Sequence, residues 1–283
     1  MMAAVLALLA SLIWGTSDFL GGTLSRRIPA IIVVGFSQAA AMVVLVPVAA
    51  GAGGFGADSG YLPWAIGAGA VGLLALVAFY HGLATGSMGV VAPIAAMGVA
   101  VPIAVGFAEG DAPGGLQIAG LAIAAVGVVL ASGPRAEGGR NLRPVVLAGL
   151  SAVGFGLVIL FIAKGSAHSV VMTLLVMRAT SVLPLVVLGL AAGRLGVSTR
   201  EAGPHWRMLA VVGLADLTAN GAYAVASRHG LLALVAVLSS LYPVVTVLLA
   251  RVVHDERLRS VQTVGVIAAL AGVILIGAGG GTG

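Results

Sequence analysis

Asp18 is the only ionisable side chain in the first 23 residues, and it sits in the stretch "WGTSDFLGG", residues 14 to 22, within an apolar run from about Ala3 to Thr23. On a helix, Ser11, Trp14, Asp18 and Ser25 are spaced to share one face, and Gly21 and Gly22 between them let a neighbour approach. A second stripe carries Asp216, Asn220, Tyr223 and Ser227 at i, i+4, i+7 and i+11. Such polar stripes on apolar helices suit the wall of a cavity that contacts a polar solute, and the structural alternative is a hydrogen-bonded helix seam. For Asp18 three roles stay open: a carboxyl that takes up and releases a proton or touches substrate, a fixed partner for Arg178 or Lys164, and a solvated position at the interface. Asp216 is the second candidate for proton coupling.

Three further groups could join the same cavity. Tyr80 and His81 precede the glycine-rich exit of an apolar segment, and His81 is the one histidine inside such a segment, with an imidazole able to change charge near physiological pH. Ser239, Tyr242, Pro243 and Thr246 share a face, and Pro243 removes a backbone hydrogen bond, which predicts a helix kink. Arg178 lies deep in an apolar segment and needs a partner there; Asp18 and Asp216 are the acids in reach of that role. Tyrosines near helix ends also serve in the interfacial belt, and Glu256 lies among Arg251, His254, Arg257 and Arg259, which predicts local pairing in a solvated loop.

The elements that position these residues follow from composition. The chain has 283 residues, 60% of them apolar and 8% charged, with a mean hydropathy of +1.17, beyond what a soluble core needs. This is the composition of an integral membrane protein. The net charge of +5 fits topology signals more than nucleic-acid binding, and the absence of cysteine removes disulfides and thiolate chemistry. There is no phosphate-binding GxxxxGK[ST], no HExxH and no Ser-His-Asp pattern, so neither a cofactor nor a metal is expected.

Windows of about twenty apolar residues predict ten spans, near 3–23, 29–50, 62–84, 88–107, 115–133, 144–164, 169–192, 206–227, 231–250 and 260–278. The pattern repeats internally. "QIAGLAIAAVG" at 117–127 matches "QTVGVIAALAG" at 262–272, an offset of 145, while Ser11 with Ser151 and Gln38 with Arg178 keep an offset of 140. The expected organisation is a first five-helix repeat over 1–133, a polar linker over 134–143 and a second repeat over 144–283. An odd number of spans per repeat inverts the second copy, and inverted repeats place a binding site at the midplane between them. The fold class predicted is therefore all-α integral membrane, ten transmembrane helices as two inverted five-helix repeats around a central cavity.

"LIWGTSDFL" in the first span and "LSSLYPVVTVLLARVVHDERLRSVQTVGVIAALAGVILIG" near the end resemble the EamA-like branch of the drug/metabolite transporter superfamily. The most specific piece is Pro243 followed thirteen residues later by Glu256. In the first half, Gly98 stands where the repeat predicts proline and Asp111 where it predicts glutamate. The resemblance implies a cavity lined by spans 1, 3, 4, 6, 8 and 9, and net export.

Eleven of the 14 Lys and Arg fall in odd-numbered loops, which by the positive-inside rule puts both termini outside a plasma (inner) membrane. The function expected is a secondary transporter, by alternating access and with proton linkage through Asp18 or Asp216, for a small polar or amphipathic metabolite such as an amino acid. The partners expected are that solute and the lipid bilayer, with no nucleic acid; one chain suffices, and a homodimer stays open. The alternatives are an intramembrane enzyme using the two aspartates, and a sensor or scaffold that does not transport.

Overall fold

The computed structural model describes residues 2–102, 105, 114–131, 142–194, 200–230 and 232–279. Asp111, Arg135, Arg140 and most of the expected linker 134–143 lie outside the described residues. Among the described residues no strand occurs. In chain order the helices are α1 (Met2–Ser25), α2 (Ala30–Gly51), α3 (Leu62–Thr85), α4 (Met88–Ala96), α5 (Gly115–Ala131), α6 (Arg143–Ser166), α7 (Val170–Arg194), α8 (Trp206–His229), α9 (Leu232–Ser239), α10 (Tyr242–His254) and α11 (Ser260–Gly279).

Among the described residues six segments, containing α1, α2, α3, α6, α7 and α8, are long and apolar enough to cross a bilayer. Their outward faces carry Val43, Leu74, Leu150 and Leu190, all largely exposed. In water that surface would be unsatisfactory; against acyl chains it is what the solvent demands, and the chain is a multi-pass membrane protein.

The packing has two-fold pseudosymmetry. Helix α1 packs on α8, and its counterpart α6 packs on α3; α2 lies against α8 as α7 lies against α3. Counterparts also meet each other: α2 with α7, α4 with α10, and α5 with α11. In the α2/α7 seam Gly35 faces Leu185 while Gly54, just beyond α2, faces Met172, so the two helices run antiparallel, as inverted repeats require.

The span expected over 231–250 is interrupted. α9 ends at Ser239, a turn follows, and α10 begins at Tyr242 with Pro243 in its first turn. Proline is tolerated there because a first-turn N–H has no intrahelical acceptor. The expected mid-helix kink at Pro243 is thus corrected to a break that Pro243 follows. The first repeat departs from α-helical geometry close by, where α4 gives way to a 3-10 turn over Met97–Val99, just past 95–96, the counterparts of the 240–241 turn at the 145-residue offset. Close approach fixes both breaks: a Cβ on Gly15 of α1 would meet the Tyr242 carbonyl, and one on Gly156 of α6 would meet the Gly98 carbonyl.

Candidate functional site

Where the two repeats cross, a cavity of about 90 Å³ is lined by Trp14 and Asp18 from α1, Gln38 from α2, Leu73 and Leu76 from α3, and Phe155 and Ile159 from α6. Helix α7 adds Met177, Arg178 and Ser181, α8 adds Asp216 and Asn220, and α10 closes it with Tyr242. Its wall is mainly apolar, with polar groups gathered on one side.

Those polar groups form a connected cluster. Arg178, 1% exposed, places Nη2 2.7 Å from Asp216 Oδ2 and donates from Nη1 to Gln38 Oε1. Gln38 Nε2 donates to the same Asp216 oxygen at 3.4 Å, and Asn220 Nδ2 donates to Asp216 Oδ1 at 3.0 Å. Asp216 thus has both oxygens engaged, and Arg178 finds the partner its burial demands. The i, i+4 spacing of Asp216 and Asn220 makes their contact local to one helix face.

Asp18 differs. Its side chain is buried on the cavity wall, and among the described residues it makes no hydrogen bond and no ion pair. The cavity therefore holds two carboxyls and one guanidinium, whose terminal nitrogens face Asp216 and Gln38 while its buried Nε has no hydrogen-bond partner.

The other expected site residues divide. Trp14, Asp18, Asp216, Asn220 and Tyr242 line this cavity, and Ser239 lines a smaller one beside it. Tyr223 is turned into the packing, its hydroxyl donating to the Ile159 carbonyl at 3.2 Å and its ring 5.8 Å from Trp14. Tyr80 is fully buried against Gly21, and His81 sits half-buried at the end of α3; neither lines either cavity. Sequence reasoning passed over Gln38 as a lining residue, along with Phe155, Ile159, Met177 and Ser181. Phe155 carried a signal, being one position from the repeat counterpart of Trp14.

A second cluster ties helix ends together. Arg26, just past α1, contacts Glu256 at 2.5 Å, and Glu256 accepts hydrogen bonds from Ser87 Oγ at 3.1 Å and from the Met88 N–H at 2.9 Å. Thr23 Oγ1 and His254 Nε2 are hydrogen-bonded at 2.8 Å alongside. Asp255, left-handed at φ 52°, ends α10 with the Glu256 N–H bonded back to the Ala250 carbonyl, which aims Glu256 at the positive end of α4. The expected local pairing of Glu256 with Arg251, Arg257 or Arg259 is corrected: Arg257 pairs with Asp255 at 3.4 Å, and Glu256 reaches across the molecule. A carboxylate able to satisfy first-turn amides and a guanidinium at once gains more there than from a mobile loop partner.

Comparison with known proteins comes to the same architecture. The sequence model of the EamA-like transporter family matches residues 1–133 and 142–278. No curated protein matches the sequence. A solved crystal structure of a protein at 16% identity covers 96% of this chain and 95% of its own, with a TM-score of 0.60, a likeness of fold.

Proposed function

The chain belongs to the EamA-like transporter family, and on that premise we propose that it is a ten-span secondary transporter of a small polar or amphipathic metabolite, such as an amino acid, coupled to protons through Asp18. The observation that carries this reading is the unpartnered buried carboxyl of Asp18 in a cavity where the inverted repeats cross. An isolated ionised carboxylate is costly in such surroundings, so a proton or a cationic solute group lowers the energy of the site, and the two compete for one position. Exchange of one for the other couples solute movement to proton movement.

Asp216 takes the other role. With Arg178, Gln38 and Asn220 around it, it is a fixed polar wall and not the coupling group. That arrangement also counts against an aspartate-pair enzyme, since the pair lacks a second free carboxyl. Alternating access needs a closed end, and the Arg26–Glu256–Ser87 cluster supplies one, joining α1, α4 and the end of α10. By the loop bias of Arg and Lys this end faces the cytoplasm and the termini lie outside the plasma membrane, and kinship with the EamA-like transporters favours net export.

Uptake and counterflow of a metabolite panel in proteoliposomes, with and without an imposed pH gradient, tests the reading. Wild type moves a solute and responds to the gradient; Asp18→Asn keeps counterflow and loses the response. A gradient response that survives in Asp18→Asn sinks the coupling assignment, and absence of flux for every solute sinks the transporter reading for this panel.

A further inference from the structure

Trp64 and Trp206 are repeat counterparts, 142 positions apart, each at the start of a long apolar helix, α3 and α8. Inverted repeats put the two at opposite faces of the membrane, where indole rings concentrate. Each ring also has a cation over it: Lys164 Nζ lies 5.1 Å from the Trp64 ring, and the Arg207 guanidinium lies 5.5 Å from that of Trp206.

The two pairs are finished differently. Lys164 comes from α6, and Phe161 of the same helix lies 5.9 Å from the Trp64 ring, so the first pair belongs to the α3/α6 seam. Trp206 and Arg207 come from one helix and both are exposed, Trp206 by 62%. Among the described residues Arg207 makes no hydrogen bond and no ion pair, not even with Glu201, the acid nearest to it in the chain.

Arg207 heads a stripe. Val211, Leu214 and Thr218 follow it at i+4, i+7 and i+11, all exposed, while Leu209, Val212 and Gly213 turn inward. The one hydroxyl on that stripe is satisfied within the helix, Thr218 Oγ1 donating to the Leu214 carbonyl at 2.7 Å, so the stripe suits acyl chains. A guanidinium at the head of a lipid-facing stripe reaches the level of the headgroups. The 3-10 turn Arg200–His205, just before α8, holds it there by packing on α2 with Ala202 buried.

We propose that Trp206 and Arg207 form a binding site for the headgroup of an anionic phospholipid. The guanidinium and the indole N–H donate to the phosphodiester, and the acyl chains lie along Val211 and Leu214. Arginine matches the geometry of phosphate oxygens, and the protein offers Arg207 no acid of its own. A zwitterionic lipid fits less well, because its ammonium meets the same guanidinium. The stripe below the cation favours a lipid over a soluble phosphate. Asp216 follows Arg207 by nine residues on α8, about 13.5 Å along the axis, so a lipid held at this site fixes the height of the polar wall of the cavity.

The test uses the full chain with Trp14→Phe and Trp64→Phe, which leaves Trp206 as the single tryptophan. The protein is reconstituted in phosphatidylcholine vesicles containing increasing fractions of brominated phosphatidylglycerol or of brominated phosphatidylcholine, and quenching of Trp206 gives the relative affinity of the two lipids. The anionic lipid is expected to be favoured about fivefold, as one cation at a membrane surface provides, and the preference is expected to shrink in about 0.5 M salt. Arg207→Gln is expected to bring the ratio close to one. Arg228→Gln, which removes the same charge from the exposed last turn of α8, is expected to leave it unchanged. Size-exclusion profile and thermal unfolding establish that each variant is folded. A ratio near one in the parent chain, a ratio unmoved by Arg207→Gln, or an equal loss in Arg228→Gln, which would assign the preference to net charge, overturns the proposal. Absence of quenching by either lipid also overturns it, since a second copy of the chain or another protein would then cover this face.

Discussion

Gln38 and Arg178, at equivalent positions 140 residues apart in the two repeats, hydrogen-bond to each other across the α2/α7 seam. Equivalent residues touch only where they lie on the pseudo-two-fold axis. The axis thus passes beside the cavity, and one repeat supplies an amide where the other supplies a guanidinium. That asymmetry lets a single acid, Asp216, be held by both halves at once.

The first prediction separates the two cavity acids by stability. Asp216→Asn leaves the Arg178 charge buried without its counter-ion and is expected to cost roughly 3–5 kcal/mol, as breaking a buried pair does. Asp18→Asn removes a charge that has no partner and is expected to unfold no earlier than wild type. The double variant Arg178→Gln with Asp216→Asn recovers more than half of the loss. Reversible unfolding in mixed micelles measures all three; a loss in Asp18→Asn equal to that in Asp216→Asn would mean that Asp18 has a partner in the membrane.

A second prediction concerns pH. A proton on Asp18 cancels the charge that attracts a cationic nitrogen, so binding of a cationic or zwitterionic solute weakens as pH falls and strengthens as pH rises through the titration of that group. In Asp18→Asn the curve flattens. Titration of Trp14 fluorescence with solute at a series of pH values checks this, provided Trp64 and Trp206 are first replaced by Phe; a slope unchanged in Asp18→Asn assigns the pH dependence elsewhere.

Much of this was legible in the chain, for identifiable reasons. The seam between repeats showed as the 140-residue offset of Gln38 and Arg178, and the cavity acid and its amide showed as Asp216 and Asn220 at i, i+4. The stripe also took in Tyr223, which the structure packs away from the cavity: at i+7 it keeps nearly the same helix face but lies about 10 Å further along the axis, where its hydroxyl meets the Ile159 carbonyl and its ring meets Trp14. Phe155, Ile159 and Met177 were unreadable as lining residues, since an apolar side chain facing a cavity has the same type as one facing lipid. Glu256 misled for another reason: its cationic neighbours in sequence are close, but its actual partners, Arg26 and the Met88 amide, are 230 and 168 positions away.

Glu256 also gives the third prediction. Glu256→Gln keeps the shape but removes the charge that holds Arg26 and the first turn of α4, and so is expected to loosen the closed end. The protein has no cysteine, so a single reporter is clean. Leu76→Cys on the cavity wall is expected to react with a membrane-impermeant maleimide several-fold faster, from the face bearing Arg26, when Glu256→Gln is added. Equal rates from that face with and without the substitution would mean that the cluster braces the loop and does not close the cavity. The face from which labelling arrives also fixes the orientation of the chain.

The fourth prediction tests whether the two breaks are equivalent structural devices. Gly15 and Gly156 each let a backbone carbonyl of an interrupted span, Tyr242 and Gly98 respectively, approach a neighbouring helix more closely than a Cβ permits. Alanine at either place must push that span outward, and overpacking of this kind costs typically 1–3 kcal/mol. Gly149, by contrast, lies on α6 with nothing within 4 Å of an added Cβ, so Gly149→Ala should be neutral or gain up to about 1 kcal/mol from helix propensity. Thermal unfolding of the three single variants decides the point. Losses at Gly15 and Gly156 that match each other, against no loss at Gly149, are expected if the crossings at the two breaks are built alike; a loss at Gly15 alone would confine the tight crossing to the repeat that carries Pro243.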